Sequence, residues 1–164
     1  MKKISILLLM ITALLGCREE FDDIGEPFDR ASGLSGTWTL SSVVQNDEEA
    51  ISKGFPLFVQ SLDITARAGF TDYTLVLNQN EDGAPTTFEE QNTSAPSILG
   101  MSSGIWVLDD PDVPERITFI SDNDEQFELI ISTYIGLNEG QLSLKLTRFA
   151  DEKPVVSYIY NFEK

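Results

Sequence analysis

One cysteine and no histidine decide most of the chemistry open to this chain. The cysteine, Cys17, closes the tetrapeptide Leu14-Leu15-Gly16-Cys17. This is the lipobox pattern, in which a secretion signal is cut ahead of a thiol that carries a lipid through a thioether. Lys2 and Lys3 supply the positive start of such a signal, and the apolar stretch from Ile4 to Leu15 is too short to span a bilayer as a permanent helix. The expected product begins at a lipid-modified Cys17, whose two or three acyl chains anchor stably where one chain is marginal. With its only thiol so used, the protein has neither disulfide nor thiol chemistry. The missing histidine removes the commonest general base and a principal zinc and copper ligand, leaving oxygen donors as the only metal option.

Other motifs in the chain carry weaker chemical signals. Gly100-Met101-Ser102-Ser103-Gly104 matches G-x-S-x-G, but it lacks a histidine base and the strand-to-helix elbow that exposes such a serine. Asn78, Asn80, Asp82, Gly83 and Glu89 follow calcium-loop spacing with Asn in the first acidic place. The segment leaves one expected strand and enters another, which is the setting of a hairpin turn. Asp122 and Asp124 make a similar turn. A glycosidase needs two carboxylates fixed across a cleft, and with 27 acids gathered at turns and near the N-terminus, accidental pairs carry no signal. The sequence predicts no catalytic residue, no metal and no cofactor, and the expectation is a protein that is not an enzyme.

The elements that would position a binding site are strands. Removing residues 1–16 leaves one domain's worth of chain, enough for a real core. It also removes Lys2 and Lys3, leaving 9 basic against 27 acidic residues and a net charge of −18. Without clusters of Lys or Arg to neutralise phosphate, that surface predicts no nucleic-acid partner. Residues 17–35 read as a lipidated cysteine followed by a flexible acidic linker, and 36–164 as a single β domain. From Gly36 onward apolar and polar residues alternate in short runs. They predict strands at 37–45, 62–67, 72–78, 86–91, 105–108, 116–121, 126–134, 141–149 and 155–162. Turn residues such as Asp82-Gly83, Asp122-Asn123-Asp124 and Asn138-Glu139-Gly140 separate them. Residues 50–61 predict a short helix or lid across one end, and 92–103 a Ser-rich loop. The expected fold is all-β, an antiparallel up-and-down barrel of about eight strands, because closure removes exposed edges.

Gly36-Thr37-Trp38 resembles the G-x-W signature of lipocalin-like barrels, echoed by Gly104-Ile105-Trp106. Leu142, Leu144, Leu146 and Arg148 share one strand face, and the resemblance implies that Arg148 stacks on Trp38 to close the barrel floor, a structural pair. The whole order resembles the lipocalin-like lipoproteins of Bacteroidetes, a family of unknown function. The acidic run Arg18-Glu19-Glu20-Phe21-Asp22-Asp23 is similar to the signal that exports such lipoproteins to the cell surface. These likenesses imply an outer-membrane, lipid-anchored protein expected at the surface.

A barrel of eight strands is either filled by side chains or holds one small ligand. Tyr73, Leu75, Phe119, Phe127, Leu129 and Leu144 would line its pocket. The leading expectation is binding of a small apolar or amphipathic ligand or of a partner. The alternatives are a structural accessory subunit of an envelope complex, favoured by a solid core with an exposed aromatic patch, or a carbohydrate-binding module, favoured by exposure of Trp106, Tyr158 or Tyr160.

Overall fold

The computed structural model describes residues 29–164. Eight antiparallel strands close into a barrel, with one short extra strand alongside. In chain order the strands are β1 (Gly36–Asp47), β2 (Ser61–Asp63), β3 (Tyr73–Gln79), β4 (Pro85–Asn92), β5 (Ser103–Leu108), β6 (Arg116–Ile120), β7 (Gln126–Thr133), β8 (Gln141–Ala150) and β9 (Lys153–Glu163). Among the described residues the helical pieces are α1 (Arg30–Gly33), α2 (Glu48–Ser52), α3 (Leu57–Gln60) and a 3₁₀ turn at Leu137–Glu139.

Closure is the work of β1. It pairs with β3 through Gly36–Thr39 and with β9 from Thr39 to Asp47, and a register shift between Leu40 and Ser42 bends it where the second pairing takes hold. Consecutive barrel strands alternate in direction, so β1, β4, β6 and β8 begin at one end, here the floor, while β3, β5, β7 and β9 begin at the other, the mouth. Inward positions alternate along every strand and hold the core, from Trp38 and Leu40 on β1 to Tyr160 and Phe162 on β9.

Two expectations need correction. The strand expected over 62–67 stops at Asp63, because the Thr65 hydroxyl accepts the Val43 amide at 2.8 Å and so replaces a ladder partner. Asp63 in turn accepts the Thr65 amide at 2.9 Å, and the chain coils through 64–69 before β3 begins. The linker expected to reach residue 35 ends earlier. Asp29 caps α1 by accepting the Ser32 amide at 3.0 Å, and Leu34 is fully buried against the floor.

Candidate functional site

At the floor, Trp38 is fully buried and its indole N–H donates to the Leu34 carbonyl at 2.8 Å. The cation on its ring is Lys164, whose Nζ lies 4.4 Å from the ring centroid, rather than Arg148. Arg148 does share the inward parity of Leu142 and Leu144. However, β8 starts at the floor, so Arg148 lies six residues beyond Leu142 along the strand, roughly 20 Å at 3.3 Å per residue, and is exposed at the mouth. Lys164 also donates from Nζ to the Gly33 carbonyl at 3.1 Å and from its amide to Gly140 at 3.0 Å, tying α1, β1 and the 3₁₀ turn together. Partial burial holds its amine below the usual lysine range. A Cβ at Gly36 would lie 2.9 Å from Lys164 Cε, so both recognisable residues of the G-x-W motif make room for this lysine.

The residues expected to line a pocket are brought together, but they fill it. Tyr73, Leu75, Phe119, Leu129 and Leu144 are at most 1 % exposed, and Phe127 is half-buried at the edge of the same cluster. Phe88 and Phe119 meet edge to face at 5.0 Å, and Tyr73 and Phe162 lie tilted to each other at 6.1 Å. The bulk of these side chains occupies the volume an open calyx would leave. Trp106 is also buried, its N–H donating to the Asn78 carbonyl at 2.7 Å, and Tyr160 is 6 % exposed, so neither offers a platform to a sugar ring. Asn80 spends its carboxamide oxygen on the Asp82 and Ala84 amides of its own turn, at 3.1 and 2.8 Å. Cys17 lies outside the described residues.

The mouth is built differently. Between β4 and β5 the segment 93–102 folds inward, burying Ala95, Ile98 and Leu99 in the barrel core. Its hold is largely through two carboxylates. Asp72 accepts the amides of Ser94 and Ala95, both at 2.8 Å, and of Thr93 at 3.2 Å, together with the Ser94 hydroxyl at 3.1 Å. These donors, the Ser94 amide foremost, hold the Asp72 carboxyl below the usual range. Glu90, only 7 % exposed, accepts the Ile98 amide at 2.7 Å and the Leu99 amide at 3.4 Å on Oε1, and the Ser97 hydroxyl at 2.6 Å on Oε2. The two amides and the Ser97 hydroxyl all donate to Glu90. A groove of about 560 Å³ along the β4–β5 seam is lined by Phe88, Glu90, Ser102 and Gly104 among others.

Beside Glu90 stands the buried Tyr73 hydroxyl, which interacts with the Glu90 carboxyl but falls short of full hydrogen-bond geometry. Burial first, and the neighbouring Glu90 charge second, push this phenol well above the ordinary tyrosine range. Sequence reasoning missed Glu90, although a signal was present: it alternates with Phe88 on a strand whose inward face Phe88 defines.

Fold and site together define an eight-stranded antiparallel barrel with a filled core and a mouth plugged by its own chain. Residues 16–163 match the family model described as Domain of unknown function (DUF5004), and the chain belongs to that family. Neither a curated protein nor a solved structure matches it.

Proposed function

We propose that this protein is a lipid-anchored, non-catalytic binding protein of the bacterial outer membrane, displayed at the cell surface, which takes a small amphipathic ligand at the mouth of its barrel. The observation that carries the reading is the plug. A segment between β4 and β5 fills the mouth, and the side-chain acceptors of its amides are mainly Asp72 and Glu90, so it is held by fewer ladder bonds than the strands it joins. The anchor rests on the lipobox at Leu14–Cys17, and the acidic run after it supports surface display. α1 packs at the floor, so the described chain enters the barrel at the end opposite the mouth. The native mass spectrum of the protein purified from its own host, compared with its denatured mass, tests this. A small-molecule adduct lost on denaturation is the expected result, and a bare mass in every preparation removes the ligand.

A second reading, an accessory subunit docked on an envelope protein, is favoured by the rim of the mouth. There Phe55, ahead of α3, Leu57, Phe58 and Val59 on α3 and Leu62 on β2 stand 44–83 % exposed. A bare mass together with a stoichiometric protein partner would establish it.

A further inference from the structure

The Glu90 carboxylate is a charged group set inside a barrel core, where an ion is costly unless it is paired or fully hydrogen-bonded. Among the described residues the ion pairs are Lys53–Glu49, Arg116–Glu128 and Lys145–Glu48, and no cation reaches Glu90. What compensates it is the plug: two amide N–H groups and the Ser97 hydroxyl, presented on a segment whose Ile98 and Leu99 side chains fill the adjoining apolar space. The plug therefore offers the barrel a cluster of donors joined to an apolar body. The Tyr73 hydroxyl beside Glu90 is 99 % buried as a residue and accepts nothing, leaving one acceptor unused by the plug.

We propose that Glu90 and Tyr73 form the head-group site of a ligand that replaces residues 93–102, and that this ligand carries an ammonium or amidinium head on an apolar body. A cation gives Glu90 the countercharge the plug cannot, and a third N–H reaches the unused phenol oxygen. The apolar body takes the space that Ile98 and Leu99 fill in the barrel core. The acidic surface, with a full-chain net charge of −16, raises the local concentration of cations and repels carboxylate-headed amphiphiles of the same length. This rests on the ligand-binding reading above and names the chemical class of its ligand.

The experiment compares hexylammonium, hexanol and hexanoate as probes on the full lipidated chain, reading hydrogen exchange at the Ile98 and Leu99 amides. Hexylammonium is expected to deprotect those amides saturably, with an apparent affinity about tenfold or more above the other two. Glu90→Gln keeps size and acceptor geometry but loses the charge, and should abolish that preference. Because Glu90→Gln can also weaken the plug, Tyr73→Phe provides an independent check: the plug stays protected as in the wild type, while hexylammonium binding weakens several-fold. Equal responses to all three heads, or a preference unmoved in both variants, overturns the cationic head while keeping a barrel ligand. If no probe loosens the plug at any concentration below membrane disruption, the ligand-binding reading falls with it.

Discussion

The two ends of the barrel solve the same problem, closing a tube of strands, in opposite ways. At the floor the closing groups are matched: the indoles of Trp38 and Trp106 donate to the Leu34 and Asn78 carbonyls, and Gln79 donates to the Ala31 carbonyl at 2.8 Å. The Tyr134 hydroxyl reaches the Pro114 carbonyl, and burial raises its pKa to about 12. Arg30 and Lys164 lie over aromatic rings. At the mouth, closure depends on a segment between strands, latched by Asp72 and by a buried Glu90, beside the buried Tyr73 hydroxyl. Satisfied polar groups and large aromatic contacts make a permanent seal. A seal made of side-chain latches opens at lower cost than one built on paired strands, and this contrast is the ground for proposing a ligand at the mouth.

The contrast is broken most directly at the floor. Trp38→Ala removes one of the two fully buried tryptophans of that end together with its hydrogen bond, and should lower stability by about 3–5 kcal/mol, read from the denaturant midpoint. A loss under 1 kcal/mol would mean that the floor is not the stable end. Lys164→Ala removes the cation over the indole and should cost about 0.5–2 kcal/mol, whereas Arg148→Ala, exposed at the mouth, should shift the midpoint by less than about 0.5 kcal/mol. The reverse ranking would return the floor cation to Arg148.

That pair of variants also shows where sequence reading stops. Alternation determines which face a residue takes, and strand limits are legible to within about two residues for every strand but β2, because apolar parity and turn chemistry agree. Parity does not say which end of the barrel a residue occupies. Arg148 had the right face and the wrong height, while Lys164, over Trp38, lies beyond the last β9 residue and outside any periodic signal. The strand expected through Arg67 failed for a tertiary reason, the Thr65 hydroxyl taking an amide twenty-two positions away in sequence. The plug was read as a loop because Ala95, Ile98 and Leu99 follow no period. Glu90 was passed over because an acid at an inward position breaks the hydrophobic rule that marks cores, which is often how a site is written into a sequence.

The subtlest difference between the ends is in their response to acid. Asp72 has its carboxyl held below the usual aspartate range by the amides of the plug. A carboxyl whose pKa is lowered by folding adds stability that is complete above the unfolded value and is lost as pH falls through the folded one. The protection of the Thr93, Ser94 and Ala95 amides should therefore be flat from neutral pH down to about 5 and should decline below about 4. Asp29 at the floor shares the direction, through its bond from Ser32, so pH alone loosens the cap of α1 as well as the plug. Asp72→Asn separates the two. It keeps an acceptor oxygen but cannot titrate, so the three plug amides should exchange faster at neutral pH and lose their acid step, while the Trp38 indole proton stays as protected as in the wild type. A plug whose acid step survives Asp72→Asn, or an indole that opens together with it, would show that floor and mouth unfold as one cooperative unit, and the plug could then not be exchanged without melting the barrel.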